Sequence, residues 1–184
     1  MSDCVHFAKT RNDFDLIRAQ MKELFGEQSH LTDEIFYSIS ELFPGFVNII
    51  RTEIQSQCGH IVFLPLNKVG YEKMISPSFA EKDILKSDLF DPSIDKKIFI
   101  FVYSIYGTNP YLTKYLIKET VKSIETQQNV DIEKSVIFAE VVSKRGDILA
   151  RRLGLEKYFS YQYEDELLHL YKTSVKAYLD SYYR

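Results

Sequence analysis

The sequence is poor in residue types that mark specialised classes of protein. Among its 184 residues there is no tryptophan, and there are only two cysteines. Cys4 and Cys58 lie far apart and in no spacing typical of metal ligands, so we predict two reduced thiols and no metal site. No stretch reaches the roughly 18 consecutive apolar residues of a membrane-spanning helix, and the N-terminal segment has no apolar signal core. We therefore expect a cytoplasmic protein that does not bind membranes.

The sequence also has no excess of positive charge. Lysine and arginine total 23 against 26 aspartates and glutamates, which gives a formal net charge of -3 at pH 7. Nucleic-acid-binding domains are usually strongly basic, so we expect no nucleic-acid partner. A chain of this length can bury roughly 70% of its unfolded surface in one core. We predict a single domain over residues 1–184, in which residues 175–184 form a C-terminal tail.

Hydrophobic periodicity predicts strands and helices that alternate along most of the chain. Strands are expected where apolar residues run continuously or alternate with polar ones, at 4–9, 46–54, 60–66, 98–106, 136–142, 158–163 and 167–173. Helices are expected where apolar residues recur at helical spacing, at 12–25, 32–43, 69–75, 80–85, 110–126, 143–153 and 175–183. Thr32 and Ser143 suit the starts of the helices at 32–43 and 143–153, and Gly154 suits a left-handed end of the latter. The positions expected to face the core are Ile35, Phe36, Ile39, Leu42 and Phe43 in the helix at 32–43, and Leu112, Leu116, Ile117, Thr120, Val121 and Ile124 in the helix at 110–126. The early strands can pair antiparallel, whereas strands joined by a helical crossover can pair in parallel. The order predicts an α/β protein with a mixed sheet.

The clearest functional signal lies in residues 97–124. A continuous strand of β-branched and aromatic residues at 98–106, expected to be buried on both faces, runs into the short loop Gly107-Thr108-Asn109-Pro110 and then into an amphipathic helix. Asn109 suits the N-cap and Pro110 suits the first helical position. Free N–H groups at a helix start can hold a phosphate. An ordinary capped helix start has the same sequence features, and that alternative stays open.

Three segments resemble the GNAT superfamily, the acyl-CoA-dependent N-acyltransferases. Residues 58–67, CGHIVFLPLN, are similar to the third strand of the family, with its opening glycine and its proline near the end. Residues 99–118 are similar to the fourth strand, the phosphate loop and the following helix. Residues 136–155 are similar to the fifth strand and the next helix, and they end in Leu153-Gly154-Leu155 where the family has Leu-Gly-Phe. The order of elements agrees with the family over about residues 4–173.

The resemblance implies a fold and a co-substrate. The fold is a mixed, mostly antiparallel central sheet flanked by helices, in the order β-α-α-β-β-β-α-β-α-β-β. In this fold the fourth and fifth strands part, and the pantetheine arm of acetyl-CoA pairs with the freed backbone of the fourth strand. The loop that follows holds the pyrophosphate. The residues that the resemblance assigns to acetyl-CoA binding are Phe101, Val102, Tyr103, Ser104, Ile105, Gly107, Thr108, Asn109, Tyr111, Leu112 and Thr113.

Two departures from the family pattern bear on activity. The phosphate loop of the family usually reads Arg/Gln-x-x-Gly-x-Gly/Ala, whereas residues 106–113 contain one glycine, no basic residue, and Pro110, which lacks an N–H. The first cation is Lys114. Many members place a tyrosine four residues before the glycine that is Gly154 here, as general acid for the leaving thiolate, and this chain has Ala150 there. The nearby tyrosines that a suitable fold could bring to the thioester are Tyr158, Tyr161 and Tyr163.

Acyl transfer to an amine also needs a base, because a lysine-like amine has a pKa of about 10.4 and is protonated at pH 7. Glu140 is the candidate, since it is a carboxylate within the apolar strand 136–142, where burial raises its pKa. The alternative is that Glu140 faces solvent or pairs with Lys144 or Arg145. These two residues belong to a basic helix that either meets the 3′-phosphate of CoA or is a solvated face.

Two histidines are weaker candidates for the site. His60 near the start of the third strand either reaches the cleft or, as is more common for a histidine at a strand end, lies at the surface. His169 alternates with Leu168 and Leu170, so it is expected on the opposite face of its strand from these leucines.

These observations favour an N-acetyltransferase that moves an acetyl group from acetyl-CoA to an amine of a small molecule or a peptide. One alternative is a catalytically inactive GNAT-fold module that binds a ligand or a protein, which the divergent loop and Ala150 favour. Another is a cytosolic α/β protein without affinity for CoA. The resemblance implies an acceptor site built by the first two helices and the last hairpin, at about residues 26–32 and 160–167. The second segment is rich in tyrosine and acidic residues that suit a cationic amine. The sequence leaves the oligomeric state open, a dimer included.

Overall fold

The structure is a computed structural model that describes residues 4–25, 31–51, 58–76, 81–127, 129–163 and 166–183. Within these residues seven strands and six helices follow one another in the predicted order. The elements are β1 (Cys4–Phe7), α1 (Arg11–Phe25), α2 (Asp33–Leu42), β2 (Val47–Arg51), β3 (Cys58–Leu66), α3 (Lys68–Met74), β4 (Phe99–Gly107), α4 (Pro110–Glu125), β5 (Val136–Val141), α5 (Lys144–Arg152), β6 (Glu156–Tyr163), β7 (Glu166–Ser174) and α6 (Val175–Tyr182). Two short 3-10 turns, Glu81–Asp83 and Lys86–Asp88, lie between α3 and β4.

The strands form a sheet in the order β1-β2-β3-β4-β5-β7-β6. β1 pairs antiparallel with β2, and β2 pairs antiparallel with β3. β4 pairs in parallel with β5, because the helix α4 between them supplies the crossover that parallel strands need. β5 and β6 each pair antiparallel with β7. The predicted mixed, mostly antiparallel sheet flanked by helices is therefore confirmed.

The chain packs into two compact units. Unit 1 comprises Met1–Leu64, Ala80–Lys86 and Ser104–Gln128, and unit 2 comprises Pro65–Phe79, Ser87–Tyr103 and Asn129–Arg184. Unit 1 thus holds α1, α2, β1, β2, most of β3 and α4, whereas unit 2 holds α3 and every element from β5 onwards. β4 passes from unit 2 into unit 1 after Tyr103. The assignment of the whole chain to one domain stays a prediction.

The helices of unit 1 begin and bury their apolar faces largely as predicted. The side chain of Thr32 caps α2 by accepting a hydrogen bond from the N–H of Ile35 at 3.4 Å. The inward face of α4 is buried at all six predicted positions, Leu112, Leu116, Ile117, Thr120, Val121 and Ile124. Leu42 was expected in the core with Phe43, but it is 44% exposed. Leu42 is the last residue of α2. The next residue, Phe43, is fully buried, as predicted.

Unit 2 is built around an aromatic cluster on one face of its strands. The ring of Tyr71 stacks on Phe99 with centroids 4.4 Å apart and meets Phe138 edge-on at 5.0 Å. Phe101 packs against Phe138 at 5.1 Å, so the cluster joins α3, β4 and β5. The helix α5 is capped by Ser143 and is followed by Gly154 in the left-handed region, with φ of 76°, as the sequence predicts.

β4 is less buried than the sequence predicts. Its first three residues, Phe99, Ile100 and Phe101, are buried, and Ser104 is buried as well. The other side chains in its second half are only half-buried, in contrast to the expected strand with both faces covered. One cause within unit 2 is that β5 stops pairing with β4 after Phe101.

Candidate active site

The ladder between β4 and β5 is short, and its end creates an opening in the pairing of unit 2. The ladder covers three residue pairs and ends at Phe101 and Phe138. β5 continues to pair on its other side with β7 as far as Val141. Val102, the next residue of β4, is outside this ladder, although both strands continue. An extended ligand can pair with such a strand edge through backbone hydrogen bonds.

Glu140 lies on β5 just beyond the end of this ladder. It is half-buried, and one of its carboxylate oxygens accepts a hydrogen bond from the hydroxyl of Tyr161 on β6. The register explains the contact. Glu140 pairs with Leu170 of β7, which pairs with Phe159 of β6, and Tyr161 is two residues further along β6 on the same face. The alternative in which Glu140 pairs with Lys144 or Arg145 is not seen.

The environment of Glu140 changes its acidity in the predicted direction. Burial raises the pKa of the Glu140 carboxyl, because a charged carboxylate loses hydration inside the protein. The hydrogen bond from Tyr161 opposes this effect by stabilising the charged form, but the effect of burial is larger. A carboxylate with a raised pKa is a stronger base than an ordinary glutamate, which suits proton abstraction near neutral pH.

A second polar group lies in the core of unit 1. The side chain of His60 is fully buried, so of the two alternatives for this residue the surface position is wrong. Its Nδ1 lies 2.6 Å from Oε1 of Gln20 on α1, and its Nε2 lies 2.8 Å from Oγ of Ser104 on β4. The amide nitrogen of Gln20 donates to Sγ of Cys58 at 3.1 Å. Helix α1 and strands β3 and β4 thus contribute four side chains to one hydrogen-bonded chain.

The partners of His60 determine its tautomer. Because the nitrogen of Gln20 donates to Cys58, its Oε1 faces His60 as an acceptor, and Nδ1 must carry the proton. Nε2 then accepts from the hydroxyl of Ser104. Burial lowers the pKa of His60 to about 4, so the ring is neutral at pH 7. A neutral and fully enclosed imidazole holds Ser104 in one orientation.

The start of α4 forms as the sequence predicts, but several of its polar groups are already used. Oδ1 of Asn109 accepts from the N–H of Leu112 at 3.1 Å, and the N–H of Thr113 donates to the carbonyl of Asn109 at 3.3 Å. Thr108 binds strand β3, because its hydroxyl and its N–H both contact the backbone of Cys58. In the part of the chain that the structure describes, the N–H groups of Asn109 and Tyr111 have no acceptor.

Gly107 is needed where β4 turns into this helix. A Cβ at this position would lie 2.6 Å from the hydroxyl oxygen of Thr113 and 3.0 Å from its backbone nitrogen. Contacts this short are not tolerated by real side chains, so only glycine lets the strand end come this close to the first turn of the helix.

The predicted acetyl-CoA residues differ in what they can offer a ligand. Phe101 and Leu112 point into the core and are 3% and 1% exposed. Ser104 is engaged with His60. Side chains with accessible surface in this set are Val102, Tyr103, Ile105, Thr108, Asn109, Tyr111 and Thr113.

The tyrosines that could replace the general-acid tyrosine missing at position 150 have different surroundings. The ring of Tyr158 is 55% exposed and lies under the ammonium group of Lys172. Tyr161 is the one that meets Glu140. The side chain of Tyr163 and residues 26–30 of the expected acceptor site lie outside the described residues. Ala150 is buried.

The remaining candidates of unit 2 take structural positions. His169 shares a hydrogen bond of 2.8 Å with the hydroxyl of Ser160. In the basic helix α5, Arg151 binds Asp147 at 3.0 Å, and Asp147 also accepts from the hydroxyl of the buried Tyr171. Lys144, Arg145 and Arg152 are exposed.

Two features were not predicted from the sequence. The Tyr161–Glu140 pair depends on the register of β6, which the hydrophobic pattern leaves undefined. The enclosure of His60 depends on Gln20, which is separated from it by 40 positions. The sequence did contain a signal for the burial of His60. This histidine directly precedes the apolar run IVFLPL at 61–66, and a polar side chain buried in such a strand needs a hydrogen-bond partner.

Comparison with known proteins gives a fold but no sequence family. No family model matches the sequence, and no curated protein matches it. Many solved structures match nearly its whole length, and three of them are described. NAA60 from Arabidopsis thaliana, in complex with acetyl-CoA, is 13% identical with a TM-score of 0.54, and the match covers 95% of this chain and 99% of that one.

Two more of these structures are an arylalkylamine N-acetyltransferase and an N-acyl amino acid synthase by name. The mosquito arylalkylamine N-acetyltransferase like 5b is 14% identical over 94% of this chain and 100% of that chain, with a TM-score of 0.54. FeeM, an N-acyl amino acid synthase from uncultured soil microbes, is 13% identical over 96% and 93%, with a TM-score of 0.54. At these identities the likeness shows the fold alone. The chain has the GNAT fold that the resemblance predicted.

Two further features were looked for among the described residues, a cluster of metal ligands and a membrane-spanning helix. Within them no three histidine, cysteine, aspartate or glutamate side chains cluster as metal ligands would. No helix among them combines the length and the apolar character needed to cross a bilayer.

Proposed function

We propose that this chain is a GNAT-superfamily acyltransferase that moves an acetyl group from acetyl-CoA to an amine. The observation that carries the proposal is the end of the β4–β5 ladder at Phe101, next to the half-buried carboxylate of Glu140. The fold and the acetyl-CoA in the NAA60 complex support acetyl-CoA as the co-substrate. The acceptor class stays open, because the similar structures include an arylalkylamine N-acetyltransferase and a Naa50 complex with a peptide-like bisubstrate analogue.

The reaction assigns a role to each part of the site. The edge of β4 at Val102, just beyond the end of the ladder, pairs with the pantetheine arm, and a backbone N–H there donates to the oxyanion that forms on the thioester carbonyl. The N–H groups of Asn109 and Tyr111 are the donors available for the pyrophosphate. These contacts are made by the backbone, so they do not depend on the glycines and basic residue that the loop lacks.

Glu140 acts as the general base in this proposal. It takes a proton from the ammonium form of the acceptor, directly or through a water, and the amine nitrogen then attacks the thioester carbon. The carbon–sulfur bond breaks, the CoA thiolate leaves, and the second proton of the amine nitrogen is released to solvent as the amide forms. Tyr161 positions the carboxylate through its hydrogen bond. With alanine at position 150, no side chain is assigned as the acid that protonates the thiolate.

Binding of the co-substrate is the first test. Thermal unfolding is followed with and without about 0.5 mM acetyl-CoA; a site with a Kd of about 10 μM would add roughly 2.3 kcal/mol to the free energy of unfolding. CoA release is then measured across a panel of aryl-alkyl amines, amino acids and peptides with free N termini. Absence of a shift at every acetyl-CoA concentration would exclude the acyltransferase.

A non-catalytic GNAT-fold module is the second candidate, and one observation favours it. Thr108 is bound to β3, so the loop offers few free polar groups to a pyrophosphate. This candidate predicts that acetyl-CoA or another ligand stabilises the protein while no amine in the panel releases CoA. Release of CoA that depends on both an amine and Glu140 would exclude it.

A further inference from the structure

A cavity of about 400 Å³ lies in unit 2, where β5 and β6 begin and β7 ends. Its wall includes Val136, the first residue of β5, and Thr173 and Ser174 at the end of β7. Pockets that hold small molecules have volumes of about 300–1,000 Å³. Val136 and Glu140 are four residues apart on one strand, so about 13 Å separates the cavity from the candidate base. The cavity is therefore distinct from the candidate active site.

The charges around this cavity balance each other without pairing. Two lysines and two glutamates on its wall form no ion pair among the residues that the structure describes. They are Lys157, Lys172, Glu133 and Glu156. A third lysine, Lys134, differs from them because its ammonium group binds Asp131 at 3.0 Å. The cavity thus presents both positive and negative groups to a ligand.

The lack of pairing is clearest for Lys172 and Glu156. They are partners in the ladder between β7 and β6, where opposite charges usually attract across the strands. The ammonium group of Lys172 instead lies 3.1 Å from the centroid of the Tyr158 ring. Tyr158 falls in the irregularity of this ladder between Lys157 and Phe159, so it stands outside the regular pairing.

The contact with the ring leaves Lys172 able to bind an anion. A cation–π contact uses the face of the ring, and an ammonium group has three N–H donors, so donors stay free on the side away from the ring. Lys172 is half-buried, and the ring restricts its position. A restrained cation loses less conformational freedom on binding than a mobile surface lysine does. Lys172 is thus well suited to hold a carboxylate.

We propose that this cavity binds a free α-amino acid with an apolar side chain, with the carboxylate of the ligand at Lys172 and Lys157 and its ammonium group at Glu133. A ligand of one charge would match one sign of the wall and be repelled by the other, whereas such an amino acid carries both signs and no net charge. Val136 is half-buried and offers apolar surface to the ligand side chain. The inference goes beyond the proposed function and does not depend on it, since it uses no residue assigned to acetyl-CoA or to the base.

Two-dimensional amide NMR spectra of isotope-labelled protein test the site without an assay of turnover. The probes are L-leucine and L-phenylalanine. We expect saturable shifts of the backbone amides of residues 133–136, 156–158 and 172–174, with a Kd of about 1 mM or tighter. Two analogues each lack one charge of L-leucine: L-leucinamide has no carboxylate, and 4-methylpentanoate has no ammonium group. Each should bind wild-type protein at least about 10-fold more weakly than L-leucine does.

Variants of the charged residues assign each charge of the ligand to a side chain. Lys172→Gln should weaken L-leucine binding by about 10-fold or more and bring L-leucine and L-leucinamide to within about 2-fold of each other. Glu133→Gln should have the same effect on L-leucine and 4-methylpentanoate. Lys157→Gln, at an exposed position, is the second carboxylate variant if Lys172→Gln does not fold. Lys144→Gln and Glu72→Gln, exposed elsewhere in unit 2, are the matched controls and should bind like wild type.

The outcomes separate this site from the candidate active site. Absence of shifts with both probes at about 10 mM would overturn the inference, and so would equal affinity of wild-type protein for L-leucine and its two analogues. Shifts confined to residues near Glu140 and Tyr161, and lost in Glu140→Gln, would place the amino acid in the candidate active site and overturn the second site. Binding that Glu140→Gln leaves unchanged, together with the charge-specific losses, supports it. Stabilisation by acetyl-CoA is measured separately, so either proposal can fail while the other holds.

Discussion

His60 in unit 1 and Glu140 in unit 2 are both ionisable groups that burial moves toward their neutral forms, but the result differs. Burial lowers the pKa of His60 to about 4 and raises the pKa of Glu140. His60 is fully enclosed, and its ring nitrogens are satisfied by Gln20 and Ser104. Glu140 is half-buried at an opening in the strand pairing, and its partner Tyr161 stabilises the charged form.

The comparison shows that desolvation alone does not define a catalytic group. At His60 it keeps the ring neutral until the pH falls to about 4, and the residue serves the fold. At Glu140 it moves the pKa toward the working pH while one hydrogen bond keeps the carboxylate accessible as an anion. We therefore expect Glu140 to act as a base and His60 to be a structural element.

The largest expected effect is on turnover in Glu140→Gln. Glutamine keeps the size of the side chain and can still accept a hydrogen bond from Tyr161, but it cannot take a proton. We expect kcat for CoA release to fall by about 10²–10⁴-fold, the range that a general base contributes. Stabilisation by acetyl-CoA should stay unchanged. Glu156→Gln, an exposed change on β6, is the control. Equal activity of wild-type and Glu140→Gln would remove Glu140 as the base.

The next effect concerns the pH dependence of stability through His60. Between its ordinary pKa of 6.5 and the folded value of about 4, the unfolded chain binds a proton that the folded chain does not. Stability from this residue is therefore complete above about pH 6.5 and is lost as the pH falls toward 4. The loss over this window is roughly 3 kcal/mol, as 1.36 kcal/mol per pKa unit implies.

Urea unfolding at a series of pH values measures this slope. The contribution is read as the difference between wild-type protein and His60→Gln, which does not titrate, while His169→Gln serves as the control that retains His60. We expect the difference in unfolding free energy between wild type and His60→Gln to change steadily from pH 6.5 to 4 and to be constant above pH 7. A constant difference throughout would show that His60 is protonated in the folded protein.

A smaller effect is expected at Gln20, the partner that fixes the tautomer of His60. Gln20→Leu keeps a similar side-chain volume but leaves the Nδ1 proton of His60 without an acceptor. An unsatisfied buried donor costs about 1–3 kcal/mol, and urea unfolding at pH 7.5 should show a loss of this size. The double variant Gln20→Leu with His60→Leu removes both polar groups and should recover part of the stability. Additive losses in the double variant would contradict a direct coupling of the two residues.

Much of the fold was predictable because its signals are local. The caps at Thr32, Asn109 and Ser143 and the left-handed Gly154 are consequences of a few adjacent residues, and all four are confirmed. The inward face of α4 follows from helical spacing alone. Leu42 was placed wrongly because the periodic pattern does not reveal the residue at which a helix ends and its face turns to solvent.

The candidate site was predictable only in part, because its contacts are not local. Glu140 was identified from a carboxylate in an apolar strand, which is a local signal. Its partner depends on the pairing of β5, β7 and β6, and a shift of one residue in β6 would place Tyr161 on the other face of the sheet. The apolar run that follows His60 indicates a buried position, but it does not identify the partner, which is a glutamine from α1 that lies 40 positions away in the sequence. Local patterns thus predicted the helices and strands. The polar contacts of Glu140 and His60 could not be predicted without the strand register and the packing of distant segments.

The smallest effect is expected in Tyr161→Phe, which tests whether Tyr161 controls the pKa of Glu140. The hydrogen bond from Tyr161 lowers the pKa of Glu140 against the larger effect of burial, so its loss should raise that pKa further. The acidic limb of the pH–rate profile for CoA release should move to higher pH, and the rate at pH 7 should fall a few-fold, while the rate at alkaline pH and the affinity for acetyl-CoA stay the same. Tyr158→Phe is the matched control on the same strand, since it removes a hydroxyl from an exposed ring. A purely structural Tyr161 would lower the rate equally at every pH, and a limb that moves to lower pH would show that the titrating base is another residue.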